Sequence, residues 1–194
     1  NIFKRQNRIK LNTEWLKLEN CKERILAEDI KSKINVPPFN NSAVDGYAIL
    51  KSDIKFGAKL ICKRRIAAGD NKIIKINKGE VIRIFTGARM PENSRTVVMQ
   101  ENTKINDDKV VIKKIPIPGE NHRIKGEDIK RGQTILKKGT NIVTNNLNLI
   151  AAIGVKKIKV FKKIKVGFFT SGNELKKPRT KLKGSEINNS NYYS

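Results

Sequence analysis

Most apolar positions fall in short alternating runs, and only two stretches carry helical spacing. Leu18, Cys21, Ile25 and Leu26 recur one helical turn apart among polar neighbours, which predicts an amphipathic helix over residues 18–27. Residues 34–39 then contain Val36-Pro37-Pro38, which cannot continue a helix and favours extended backbone, so the chain changes element here. Between about residues 51 and 114 the pattern predicts strands at 59–62, 72–76, 80–85, 96–100 and 109–112, an all-β unit. Asn77-Lys78-Gly79 offers a glycine where a bulged hairpin needs positive φ. Pro116, Pro118 and Gly119 close the unit, and Gly126, Gly132 and Gly139 punctuate the next stretch of chain. Thr144 is the expected N-cap of a helix over 145–153, with Leu147, Ile150 and Ala151 on one face and Gly154 as its stop. Residues 158–161 read as a strand. The mostly apolar run 166–170, ending in Ser171-Gly172, reads as a buried strand that opens an α/β domain.

Composition narrows the function classes. A formal net charge of +24 invites a polyanion partner such as RNA or an anionic membrane. The Lys and Arg are nevertheless spread along the whole chain rather than gathered into a tail or stripe. Aromatics make up only 6 % of residues, with no basic–aromatic interleaving of the kind that stacks bases, so the charge reads as solvated surface. Cys21 and Cys62 stand alone, without the spacing of a disulfide framework or a zinc site, which fits a reducing cytoplasm. No apolar run reaches the 18 or so residues of a membrane helix. The first residue is Asn1 rather than Met, so a start upstream is expected.

Four segments carry candidate chemistry. The first is Pro37-Pro38-Phe39-Asn40-Asn41-Ser42-Ala43-Val44-Asp45-Gly46-Tyr47-Ala48, which presents the Asp45 carboxylate on a turn hinged at Gly46. From spacing alone Asp45 either caps that turn or offers an anionic ligand. The second, residues 79–91, is a strand running into Thr86-Gly87. A Thr hydroxyl and backbone N–H groups beside a glycine suit an oxyanion, although Thr-Gly after a strand is also an ordinary turn. The third, 119–129, holds Arg123, Glu127 and Asp128, either substrate contacts or an ion-pair cluster at a domain joint. His122, the only histidine, has no sequence partner and is given no catalytic role. The fourth, 166–175, places Ser171, Gly172 and Glu174 at the carboxyl end of a strand, where open α/β sheets bind ligands.

Taken in order, these four segments resemble the signatures of the MoeA/gephyrin family, the molybdopterin molybdenumtransferases, over nearly the whole chain, and 186–191 resembles the Asp-Ser/Thr-Asn segment of that family. The resemblance implies the N-terminal part of a longer α+β multidomain enzyme: a mixed α/β joint and dimerisation region at 1–36 and 115–162, a β-rich domain at 37–114, and from 163 the start of an α/β molybdopterin-binding domain. It implies insertion of molybdenum from molybdate into adenylylated molybdopterin with release of AMP, dependent on Mg²⁺. It also implies a cytoplasmic homodimer with shared clefts, supplied by a molybdopterin adenylyltransferase. Carried over residue by residue, Asp45, Thr86 and Glu174 are the expected catalytic groups, Asp45 and Glu174 the metal ligands, and Ser42, Gly46, Gly87, Ser171, Gly172, Ser190 and Asn191 the substrate contacts. Three departures each remove a negative charge: Asn40, Arg95 and Asn173 stand where the family usually has Asp. Without the rest of the pterin pocket, the 194-residue chain alone is expected to be inactive. The competing readings are a non-catalytic scaffold of gephyrin type and a basic RNA-binding protein, the latter marked by a steep salt dependence of RNA affinity.

Overall fold

The computed structural model describes residues 11–193, so the first ten residues of the expected joint region lie outside it. Fourteen strands and one α-helix succeed one another in order: β1 (Thr13–Lys17), β2 (Ile30–Lys31), β3 (Asn41–Ser42), β4 (Gly46–Ile49), β5 (Lys59–Ile66), β6 (Glu80–Ile84), β7 (Thr96–Met99), β8 (Thr103–Asn106), β9 (Lys109–Ile112), β10 (His122–Arg123), β11 (Thr134–Leu136), α1 (Thr144–Ala152), β12 (Lys157–Phe161), β13 (Leu175–Lys176) and β14 (Ile187–Asn188). The described residues divide into two compact units, a larger one, Thr13–Phe161, and a smaller one that takes 162–193 together with 11–12. Among the described residues no helix is long and apolar enough to cross a membrane.

The larger unit is built on a six-stranded sheet in the order β7-β4-β6-β5-β9-β8. Because side chains alternate across a strand, its central strands bury both faces. Ala48, Ile82, Ile84 and Val97 enter one core cluster, and Tyr47, Ile49, Val81 and Val98 the other. The predicted strands at 59–62, 80–85, 96–100 and 109–112 all form, with β5 longer than expected. The hairpin does not. Gly79 takes its positive φ of 79° and closes a turn, but β5 and β6 run parallel, so the connection must cross over instead of folding back. Residues 72–76 belong to that crossover. Ile76 is buried, yet its backbone is satisfied by a side chain, with its N–H donating to Asn93 Oδ1 at 2.9 Å and its carbonyl accepting from Asn93 Nδ2 at 2.8 Å. An amide mimics a neighbouring strand and satisfies buried Ile76 without a ladder, while Ile73 stays exposed.

A separate cluster joins 16–36 with 129–160: Cys21, Leu26, Ile30, Ile129, Ile142, Ile150, Ile153, Ile158 and Val160. β1 lies antiparallel to β12, pairing Thr13 with Phe161 through Lys17 with Lys157. The expected helix at 18–27 is absent. Only a 3-10 turn, Leu18–Asn20, forms, after which Glu23 takes φ 62°. The backbone is claimed from outside, since Leu26 N–H donates to the Thr140 carbonyl at 2.9 Å and Ala27 N–H to that of Lys159 at 2.9 Å. A ten-residue helix is marginal by itself, and these strand-like bonds still bury Cys21 and Leu26 completely. α1 forms where a helix was expected and stops at Ala152, two residues before Gly154 with its φ of 76°. Its cap shifts by one residue: Val143 sits at the N-cap, and its N–H donates to Asn146 Oδ1 at 3.0 Å.

In the smaller unit, Leu175 and Lys176 pair in parallel with Ile187 and Asn188. The buried strand expected at 166–170 is not there; Val166 and Phe169 are 81 % and 90 % exposed. A parallel strand buried on both faces needs strand neighbours and covering helices, and the described residues provide neither for this run.

Leu26 is wholly enclosed in the joint cluster. Leu26→Ala is expected to lower unfolding free energy by about 2–5 kcal/mol without changing the denaturant slope, read in a urea titration.

Candidate active site

Three backbone segments lie side by side. Residues 40–42 pair with 87–90: Gly87 N–H donates to the Ser42 carbonyl at 2.8 Å, Ser42 N–H to Ala88 at 3.0 Å, and Met90 N–H to Asn40 at 2.9 Å. On the opposite side β3 pairs with β10, setting Ser42 against His122 and Asn41 against Arg123. Ser42 is almost fully buried, and its hydroxyl is spent on Val44, donating to the carbonyl at 2.6 Å and accepting from the N–H at 3.3 Å. It shapes the turn that leads to Asp45 rather than facing solvent.

Asp45 stands where this turn enters β4, and Thr86 where β6 ends, so the sheet brings together residues 41 positions apart. Asp45 Oδ1 accepts both the Thr86 N–H and the Thr86 hydroxyl, each at 2.8 Å. These two bonds, Thr86 N–H first, with a smaller contribution from the Arg83 cation, hold the Asp45 carboxyl below the usual carboxylate range. Thr86 and Gly87 are exposed, so the carboxylate is reached from solvent. Gly46 begins β4 between β6 and β7. Gly46 does not take a positive φ; it permits a close backbone approach. Glycine is required because a Cβ would meet the Val98 carbonyl oxygen at 2.1 Å. The donors expected to greet an oxyanion at Thr86 and Gly87 are committed instead to Asp45 and Ser42.

Arg83 is the residue the sequence did not single out. It projects from β6 between the rings of Tyr47 and Phe85, 5.0 Å from each centroid, and bonds Gln100 and, at 3.4 Å, the Gly46 carbonyl. A second cation, Arg65, lies 5.6 Å from the Phe85 centroid. Only the alternation of β6, which aims Arg83 at the face carrying Tyr47, could have marked it in advance. Arg123 forms the ion-pair cluster anticipated as a structural alternative, 2.6 Å from Glu127 and 2.5 Å from Asp128. His122 is pushed below its ordinary pKa by burial and by Arg95, and its Nε2 has no partner among the described residues.

Ser171, Gly172, Glu174, Ser190 and Asn191 all lie in the smaller unit. The Glu174 carboxylate packs on Gly172, where a Cβ would meet Oε1 at 2.5 Å, and the Glu174 carbonyl accepts from Ile187 N–H at 2.8 Å. Glu174 and Asn173 line a hollow with Lys183 and Glu186. Ser190 opens a short 3-10 turn (Ser190–Tyr193), and both it and Asn191 are exposed. The remaining departures, Asn40 and Arg95, line one cleft of about 470 Å³ in the larger unit, together with Arg89 and Lys125.

A family model for the MoeA N-terminal region (domain I and II) matches residues 2–154. The chain belongs to the MoeA family. It is 36 % identical over 183 residues to the molybdopterin molybdenumtransferase of Haemophilus influenzae, an alignment spanning 94 % of this chain and 45 % of that protein. The molybdopterin molybdenumtransferase of Nostoc sp. is 33 % identical over 188 residues, 94 % of this chain and 43 % of that one. The crystal structure of the molybdopterin biosynthesis MoeA protein from Pyrococcus horikoshii OT3 is similar with a TM-score of 0.85 at 34 % identity, covering 93 % of this chain and 49 % of that one. The chain thus spans less than half the length of these relatives, and its β-rich fold is that of a MoeA N-terminal region.

For this MoeA-family site, two outcomes are expected. The Asp45 carboxyl, followed by ¹³C NMR, should titrate below an ordinary Asp, and Thr86→Val should raise its midpoint by removing the hydroxyl donor. Since the folded value lies below the unfolded one, the stability Asp45 contributes is present above the unfolded pKa and is lost as pH falls through the folded value. Gly46→Ala should cost at least about 3 kcal/mol in urea unfolding, because a backbone carbonyl must move.

Proposed function

We propose that this chain supplies one wall of the active site of a molybdopterin molybdenumtransferase, which inserts molybdenum from molybdate into adenylylated molybdopterin and releases AMP during molybdenum cofactor biosynthesis. The observation that carries the reading is the solvent-facing Asp45 carboxylate, fixed through one oxygen by both donors of Thr86. Family membership and the relatives' names supply the substrate class.

In this reading the chain's residues work by orientation. Thr86 occupies Oδ1, so Oδ2 points its lone pairs at the ligand with little freedom left to lose. Thr86 chiefly holds the carboxyl below its ordinary pKa, and the Arg83 charge adds a small part. Ser42 and Gly46 position the turn, Ser42 through Val44 and Gly46 by admitting the Val98 carbonyl. Among the described residues no three His, Cys, Asp or Glu side chains gather into a metal site. One ionised carboxylate still fits Mg²⁺, which keeps most of its waters and is completed by substrate phosphate oxygens. Bound there, Mg²⁺ would neutralise charge on the adenylyl phosphate as AMP leaves. Ser171, Gly172, Glu174, Ser190 and Asn191, with Glu174 as a second metal ligand, belong to the pterin-binding part of the proposal. So do the domain division at 37, 115 and 163, the homodimer with its shared cleft, the cytoplasmic setting and the upstream adenylyltransferase.

In the full-length protein Asp45→Asn should lower AMP release from adenylylated molybdopterin by on the order of 10²-fold or more, while circular dichroism and melting stay near those of the parent. Unchanged turnover in that variant would remove Asp45 from the chemistry. No molybdate-dependent release by the well-folded parent would move the weight to a scaffold.

A further inference from the structure

Beyond the Asp45 centre, and independent of the transferase reading, the larger unit holds a second concavity. It is a cleft of about 470 Å³ bounded by residues 38–40, 89–95 and Lys125. That volume is within the range of roughly 300–1,000 Å³ typical of small-molecule sites. Its charge is one-sided: Arg89, Arg95 and Lys125 face a single acid, Glu92. Glu92 already has Lys75 at 3.7 Å, whereas among the described residues neither arginine nor Lys125 is paired with a carboxylate. Like charges brought into one concavity repel each other, so the arrangement is relieved by an anion.

The walls are fixed in advance. Asn40 ties two of them, its Oδ1 accepting from Lys125 N–H at 2.8 Å and its carbonyl from Met90 N–H at 2.9 Å. The 89–95 wall is anchored further by Ser94, a buried residue whose hydroxyl donates to the Ile49 carbonyl at 2.7 Å. Arg89 lies over the Phe39 ring, 6.0 Å from its centroid, which restrains the guanidinium while leaving its N–H edge available. A ligand therefore meets cations whose supporting backbone is already ordered, so little entropy is lost on binding.

We propose that this cleft is an anion site for a phosphate monoester. The two net positive charges of its lining match a dianion, and the several oxygens of a phosphate can accept from two guanidinium forks and an ammonium at once, which the two oxygens of a carboxylate cannot. The ring of Phe39 offers an apolar surface for an organic group carried by the ester.

The test is a ¹⁵N NMR titration of this 194-residue protein with inorganic phosphate and, separately, with AMP. Saturable shifts confined to the amides of 89–95, Lys125 and their neighbours are expected, weakening as salt rises. Arg95→Asp should weaken phosphate binding by about tenfold or more, and the milder Arg89→Gln should weaken it as well. A charge reversal of equal size on strand β8, Lys104→Asp, should leave it unchanged. Tighter binding of AMP than of phosphate at the same amides would support a nucleotide-sized ester, and equal binding a site for the phosphate group alone. Phosphate shifts scattered over the basic surface, or equal losses in Arg95→Asp and Lys104→Asp with folds intact, would overturn the proposal.

Discussion

Everything at the candidate site depends on how closely β4 can lie against β7. Gly46 pairs with Met99 on one side and Ile84 on the other, and the Val98 carbonyl occupies the space a side chain would need. This approach pins the first residue of β4, and with it the exit of the preceding turn, so Asp45 arrives beside the end of β6. Thr86 then holds it by two donors. The backbone thereby defines where the carboxylate sits before any side chain chooses a rotamer, a cheap form of preorganisation because the sheet's hydrogen bonds are required for folding anyway.

The charge of the chain is arranged around this frame. The cores are assembled almost wholly from aliphatic side chains: one cluster joins 16–36 with 129–160, and two others lie on opposite faces of the six-stranded sheet. Among the described residues no Lys or Arg is buried, so the cations stay at least partly solvated. Arg83 and Arg65 sit over Phe85, Arg83 also over Tyr47, and Arg89 over Phe39, so aromatic faces hold cations where carboxylates are scarce. Arg83 in this way brings positive charge to Asp45, while Arg89 restrains one side of the neighbouring cleft.

Signals carried by two or three adjacent residues were legible along the chain. The strand pattern at 59–62, 80–85, 96–100 and 109–112, the helix before Gly154 and the positive φ of Gly79 all rest on local chemistry and are present, although the hairpin around Gly79 is not. Failures occurred where a partner distant in sequence claims the backbone. Residues 18–27 have helical spacing, but the carbonyls of 140 and 159 take their N–H groups; residues 72–76 have strand spacing, but Asn93 replaces the ladder. In both cases only part of the apolar set is enclosed: Cys21, Leu26 and Ile76 are buried, whereas Ile25 and Ile73 remain exposed. Residues 166–170 fail for the complementary reason, since a run that reads as buried needs neighbours that the described residues do not contain.

The sequence by itself determined the β-rich character, the places of several turns and the segments that bear the candidate chemistry, all consequences of periodicity, glycine and proline geometry, and residue type. It identified Asp45, Thr86, Gly46 and Ser42, but not what each does. Only the tertiary structure decided that Thr86 spends both donors on Asp45, that Ser42 faces inward, that the Val98 carbonyl is what approaches Gly46, and which cations, Arg83, Arg89, Arg95 and Lys125 among them, share a ring or a cleft. The reason is physical. A hydrogen bond or a shared cleft between residues 41 or 85 positions apart depends on strand order and register, and these are set by the whole sheet at once.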